Sequence, residues 1–292
     1  MLEFLAAARE HAFLQRALLA GLLSGIACGV VGTYVAARRI TYIAGGISHS
    51  VLGGMGAARF LAVRYDLDWL RPIHGALFAA LLAAAIIGTV SLRCRQNEDT
   101  VISALWAIGM ALGVVFISRT PGYNEDLMSY LFGNILMVAP GDVWLLLALD
   151  VVVVLTAVLL YEQFLAVCFD EEFARLRGLP VDVYYLGILA LTACAVVLLM
   201  TVVGLVLVIA LLTLPVAIAS RFSRSLWQVM VGAAVLSTVF TASGLALSYG
   251  PSLPAGATTI LVAGAVYLLV LIASRFLRRP TPPSAAARSD GM

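Results

Sequence analysis

The fold class this sequence predicts is an all-α, polytopic helical membrane bundle, and three observations predict it. Of 292 residues, 62% are hydrophobic and only 12% are charged, against about 25% charged in soluble domains. Apolar runs of the length that carries a helix across a bilayer, about 20 residues, recur along the whole chain. The breaks between them are short and bear arginines, so no separate soluble domain is expected. The expectation is about eight to nine transmembrane helices in one membrane domain over residues 1–279, with a disordered tail at 280–292.

The elements follow in order. The first helix is expected at 13–37. Glu3, Arg9, Glu10 and His11 precede it, and its apolar run is too long for the core of a cleavable signal peptide. The second, 40–63, carries "YIAGGISHSVLGGMG" at residues 42–56. Helices at 73–92 and 100–118 are apolar throughout. The segment "NEDLMSYLFGNILMVAPGD", 124–142, has an apolar centre of about 12 residues, too short to span. It is expected to lie at the surface or to dip in as a short helix. A helix at 143–165 contains Asp150, and "FDEEFARLRGLPVD" at 169–182 interrupts the apolar sequence. Helices at 183–202 and 204–220 meet with almost no loop, as a tight hairpin or as a broken, partly re-entrant element. Pro215 inside the second of them removes a ladder hydrogen bond and kinks the helix, a break that membrane helices tolerate where neighbours satisfy the freed carbonyl. Helices at 227–248 and 256–276 complete the bundle. The tail from Pro280, rich in Pro, Ala and Ser, has the composition of disordered segments.

Arginine placement orients the chain, because loops on the cytoplasmic side carry excess positive charge. Arg38, Arg39, Arg93, Arg95, Arg175, Arg177, Arg221, Arg224, Arg275, Arg278 and Arg279 fall on one side in tight clusters. That side is read as cytoplasmic, which puts the N-terminus outside and the C-terminus inside the cytoplasmic (inner) membrane.

Several chemistries are excluded or disfavoured. The chain has no lysine, and a P-loop requires one on the β- and γ-phosphates, so any ATP chemistry belongs to another subunit. A net charge of +2 does not suggest nucleic acid. Cys28, Cys94, Cys168 and Cys194 form no C-x-x-C pair, and they read as buried small hydrophobes. His11 and His74 flank the membrane and read as surface residues.

Three stretches carry information. Positions four apart share a helix face, so Gly45, His49 and Gly53 form one row, with Gly46, Ser50 and Gly54 beside it. Such small-residue rows let helix backbones approach closely, and Gly21, Gly25 and Gly29 make a matching row on the first helix. His49 lies near the middle of its helix, where it cannot reach water. Intramembrane ionisable side chains mark ion pathways, and that makes His49 a candidate pathway ligand or gate. Ser48 and Ser50 stand beside it. Asp150, inside its own helix, is a weaker metal candidate; a hydrogen bond to a neighbouring helix is the expected role.

The second stretch has helix start and stop signals. Asp170 is an N-cap, Glu171 and Glu172 fill the first turn, Arg175 and Arg177 close it, and Gly178 then Pro180 end it. The product is a short amphipathic helix with Phe173 and Leu176 as apolar contacts. Its readings are a surface helix or a helix that docks in a partner's groove. The third stretch is "VGLVLVIALLTLPVAIAS", 203–220, with Pro215.

Together these stretches resemble the permease subunits of metal-type ABC importers, which take up zinc, manganese and related divalent ions. The resemblance rests on "RRITYIAGGISHSVLGG", "DLMSYLFGNIL", "EEFARLRGLP", "VGLVLVIALLTLPVAIAS" and "LSYGPSLPAGATTILV", from about residue 13 to 276. It implies a permease that works as two copies in the lipid bilayer. It also implies a separate ATP-binding cassette ATPase docking on a coupling helix at 170–179 and an extracytoplasmic metal-binding protein. The metal is cargo, zinc or manganese, and no cofactor is held permanently. Many members carry an aspartate four residues before the motif histidine, manganese ones especially, and here that position is Gly45. Imidazole suits zinc, whereas carboxylate suits manganese, and the departure tilts the expectation toward zinc. The alternatives are manganese or iron import by the same architecture, a metal-chelate importer, and a gradient-driven transporter with no ATPase. An intramembrane hydrolase using Ser48 or Ser50 with His49 is disfavoured, because adjacent helical residues point about 100° apart.

Overall fold

The computed structural model describes residues 7, 9–93, 98–120, 133, 135–250 and 253–277. The expected tail at 280–292, Cys94, Arg95, Arg278, Arg279 and most of 124–134 lie outside the described residues. The elements are α1 (Ala12–Ala37), α2 (Thr41–Tyr65), α3 (Pro72–Arg93), α4 (Glu98–Arg119), a 3-10 turn (Ile135–Met137), α5 (Pro140–Leu159), α6 (Tyr161–Phe169), α7 (Glu171–Leu176), α8 (Val181–Val203), α9 (Leu205–Phe222), α10 (Leu226–Tyr249) and α11 (Ala255–Leu277). Eight of the described helices are long and apolar enough to cross a membrane. The ninth long helix, α2, is not among them. Its glycines and serines make it the least apolar of the nine, and it is packed between α3 and α4.

The outer surface is that of a membrane protein. Val151, Val152, Leu155 and Val158 of α5 are exposed, as are Leu261, Leu268, Leu269 and Ile272 of α11. In water such faces would associate; in lipid they are solvated. What holds the bundle together is therefore close packing. A Cβ at Gly53 would stand 2.7 Å from the Gly109 carbonyl oxygen, and one at Gly113 would stand 2.8 Å from Leu52 Cγ. The α2–α4 seam is built on these contacts, and Gly54 meets Gly75 of α3 backbone to backbone.

The glycine row of α1 does not match that of α2. Gly21, Gly25 and Gly29 pack on Thr241, Thr238 and Ala234 of α10. Consecutive helices are turned away from each other by the joint between them. Arg38 closes α1, Arg39 takes a left-handed φ of 61°, and Arg39 and Ile40 donate back to Ala36 and Val35 at 3.0 and 2.9 Å. That hydrogen-bonded reversal spends only three residues between α1 and α2 and holds them at a fixed angle.

The single helix expected at 143–165 is two helices, with the break at Leu160. Neither Pro nor Gly marks it. The Tyr34 hydroxyl of α1 donates to the Ala157 carbonyl at 3.3 Å, so a tertiary contact occupies an acceptor at the point where the helix stops. At its other end α5 starts as its sequence suggests, with Pro140 in the first turn and the Asp142 carboxylate accepting from Ala139 N–H at 2.9 Å. The α8–α9 junction is one residue, Gly204, at φ 89° and ψ 153°, a region open essentially to glycine alone.

The seam has a testable consequence. Gly53→Val should destabilise the folded protein by about 1–3 kcal/mol through overpacking against the Gly109 carbonyl. Gly187→Ala on α8, where a Cβ meets nothing within 4 Å, should be neutral. Thermal unfolding in detergent, followed side by side for the two variants, checks this.

Candidate functional site

The α2 face that meets α4 carries the candidate site. Its rings are Tyr42, His49 and, from α4, Trp106. His49 stacks flat on Trp106, with ring centroids 4.1 Å apart and planes 11° apart. Tyr42 leans on the same indole at 6.2 Å, and its hydroxyl hydrogen-bonds Ser103 Oγ at 2.6 Å. Stacking fixes the imidazole plane. The His49 Nδ1 is buried and has no hydrogen-bond partner among the described residues. A buried ring nitrogen normally finds one.

The small residues around His49 differ in what they permit. A Cβ at Gly45, one turn before His49, meets only Trp106 Cζ3 at 3.7 Å, an ordinary contact. A Cβ at Gly46 would meet Ile102 Cγ2 at 2.6 Å. Gly45 therefore leaves room beside the ring pair, whereas Gly46 and Gly53 are filled by α4. The hydroxyls of Ser48 and Ser50 donate to the carbonyls of Ala44 and Gly46 at 2.7 and 2.8 Å, and both serines are buried. They close their own helix turns, one on each side of the imidazole.

Asp150 lies on α5 facing the Ala27–Cys28 stretch of α1, whereas His49 faces α4. The Asp150 carboxylate is turned to the Ala27 backbone of α1, the neighbouring helix on which its hydrogen bond was expected, although among the described residues neither oxygen reaches full hydrogen-bond geometry. No three His, Cys, Asp or Glu side chains among the described residues converge on a point. Among the described residues, His49 stands as an isolated imidazole and not in a closed metal cage.

The helix read at 170–179 forms as its signals predict. Asp170 Oδ1 accepts from Phe173 N–H at 2.9 Å, and Arg175 pairs with Asp182 at 2.9 Å. Gly178 takes φ 76°, with Gly178 N–H on Arg175 O and Leu179 N–H on Ala174 O, a Schellman ending. The residue that anchors α7 to the bundle is Ala174, fully buried, which the sequence reading did not single out. Phe173 and Leu176 turn outward, 47% and 87% exposed, and the Arg177 guanidinium lies 5.0 Å over the Phe173 ring. Pro215 sits buried inside α9, next to the Leu212 carbonyl on which Gly32 of α1 packs. Of the cysteines, Cys28 and Cys168 are buried and Cys194 is half-buried. His11 and His74 are exposed.

Comparison with known proteins places this arrangement. The model of the ABC 3 transport family matches residues 10–274, and the chain belongs to that family. A Chlamydia trachomatis protein named "Probable metal transport system membrane protein" is 39% identical over 272 residues, spanning 93% of this chain and 92% of its own length. The "Manganese transport system membrane protein MntC" of Halalkalibacterium halodurans is 34% identical over 266 residues, spanning 91% of this chain and 88% of its own. Among solved structures, PsaBC from Streptococcus pneumoniae in complex with Fab matches at a TM-score of 0.81 and 29% identity, over 92% of this chain and 95% of that one. The resemblance to metal-type ABC importer permeases carried by the motifs thus holds over nearly the whole chain. The chain is a multi-pass membrane protein of a transport permease family.

Proposed function

We propose that this chain is the permease subunit of an ATP-driven importer that moves divalent metal ions, zinc in the first place, into the cytoplasm. His49 is the side chain that the ion meets midway. The observation that carries the proposal is the His49 imidazole, clamped flat on Trp106 with Nδ1 buried and unpartnered. A conducted ion must bind well enough to enter and weakly enough to leave. Four protein ligands would hold zinc as a structural site does. One imidazole from each of two permease copies is sparse enough to release it. Ser48 and Ser50 support the ring through the helix turns they close. Asp150 is a secondary position for a cation, on a different helix pair.

Zinc is supported by the donor set, because Gly45 leaves the imidazole with no carboxylate on its own helix face. The second reading, manganese, with iron beside it, is favoured by the name of the H. halodurans relative. Gly45→Asp separates them. Its Cβ fits against Trp106, so the variant should fold, and its carboxylate would share a face with His49. Uptake of Mn2+ relative to Zn2+ by proteoliposomes should rise on the order of tenfold. A wild-type protein that already carries Mn2+ in preference to Zn2+ would overturn the zinc assignment.

The rest of the assembly follows from the same reading. Residues 1–279 form the permease domain, and 280–292 are a cytoplasmic tail. The segment from Asp170 through Glu171, Glu172, Phe173, Arg175, Leu176 and Arg177 to Gly178 is the coupling helix that a separate ATPase grips. An extracytoplasmic metal-binding protein delivers the ion. The outward turn of Phe173 and Leu176 supports the docking role, because apolar side chains on a well-capped surface helix are the anchors of a helix-in-groove contact. The clustered arginines support a cytoplasmic position for this helix.

A further inference from the structure

In the sequence Arg38 is one of the clustered positive charges and the first residue of "RRITYIAGGISHSVLGG"; the structure gives it three partners on three other elements. It closes α1, and α2 begins three residues later. Its guanidinium pairs with Glu171 in the first turn of α7. Its Nη1 donates to the Val167 carbonyl of α6 at 3.1 Å. The same guanidinium lies 4.9 Å from the centre of the Tyr185 ring on α8. Tyr185 is buried, and its hydroxyl donates to Ser91 Oγ of α3 at 3.1 Å. Among the described residues, two ion pairs involve the Asp170–Gly178 segment: Arg38 with Glu171, and Arg175 with Asp182. The second stays within the loop and α8. The first reaches α1 and α2.

We propose that Arg38 is the positioning residue through which movement of the Asp170–Gly178 segment reaches the helix that carries His49. The inference rests on the reading of that segment as the ATPase dock. A displacement of α7 carries Glu171 with it. Charge-assisted contacts are the strong ones, and a guanidinium that grips a carboxylate, a carbonyl and a ring together resists being left behind. Arg38 is also the C-cap of α1, and the hydrogen-bonded reversal at Arg39 and Ile40 makes the α1–α2 corner stiff. Motion of Arg38 therefore turns α2 as a unit. His49 lies eight residues into α2, about 12 Å along it at ~1.5 Å per residue. Because α2 and α4 meet glycine to backbone, a small rotation of α2 changes how His49 sits on Trp106.

The test is the number of metal ions transported per ATP hydrolysed, in proteoliposomes holding the permease with its ATPase. Arg38→Gln and Glu171→Gln should each lower that ratio by about tenfold. The double variant should be no worse than either single one, because both changes cut one link. Arg38→Lys keeps the charge and should retain more of the ratio than Arg38→Gln; it also serves if the glutamine variant does not fold. An unchanged ratio in Arg38→Gln, with only a lower yield or melting temperature, would make Arg38 a structural residue and overturn the proposal. Multiplying losses in the double variant would overturn it too, since the two side chains would then act separately. Failure of the docking reading is seen elsewhere: Phe173→Asp would keep its ATPase bound. If Phe173→Asp loses the ATPase while Arg38→Gln keeps a normal ratio, docking stands and the relay falls.

Discussion

His49→Ala is expected to lower metal uptake by about a hundredfold in proteoliposomes containing the assembled transporter, the upper end of what loss of a metal-site partner costs. The folded protein should survive the change. The His49 Nδ1 has no partner to lose, and the stacked pair with Trp106 contributes only about 0.5–1.5 kcal/mol beyond its buried area. The variant thus separates the chemistry of the ring from its packing. Trp106→Leu is the companion change. It leaves the imidazole in place without its clamp and should reduce uptake less, because the ligand remains and only its orientation is lost. Uptake of 65Zn2+ by His49→Ala at the wild-type rate, with normal amounts of folded complex, would remove His49 from the pathway.

Phe173→Asp is expected to release the ATPase, with the amount that co-purifies falling by at least about tenfold, the scale of an interface anchor worth more than 1.4 kcal/mol. The helix itself has no reason to unfold. Its start depends on the Asp170 carboxylate and the backbone N–H of residue 173, its end on Gly178, and its seat on Ala174. The Phe173 ring points outward, so the new carboxylate meets the partner rather than the bundle. Desolvating a carboxylate in an apolar groove is costly even with the Arg177 guanidinium beside it. Gly178→Trp reaches the same contact by another route, because φ 76° is a left-handed conformation that L side chains rarely adopt. Normal coupled turnover in Phe173→Asp would show that the partner binds elsewhere.

Much of the fold was legible because the bilayer imposes length and composition together. The runs read at 13–37, 73–92, 227–248 and 256–276 became α1, α3, α10 and α11 with ends moved by a few residues. The α7 helix was legible for a different reason: its caps are local chemistry, Asp170 at one end and Gly178 at the other. The break at Leu160 was not legible, since it coincides with a hydroxyl from α1, 123 residues away. Partners of the glycine rows were hidden in the same way. A small-residue row announces a close approach but not its partner, and Gly21–Gly29 chose α10 over α2. Trp106 was missed although a signal existed. Gly109 and Gly113 follow it at helical spacing in "LWAIGMALG", a row that would have pointed to α4 as the helix against His49. Arg38 was read for orientation and as part of "RRITYIAGGISHSVLGG", and its structural role was hidden because its partners come from α6, α7 and α8.

The account divides labour between a passive conduit and an ATP-consuming partner, and one measurement tests that division most directly. Purified chain is reconstituted into liposomes alone and together with its ATPase and binding protein, and uptake of Zn2+ and Mn2+ is followed with and without ATP. The account predicts no concentrative uptake by the chain alone under any imposed ion gradient, and ATP-dependent uptake once the partners are present. Gradient-driven accumulation by the lone chain would contradict it.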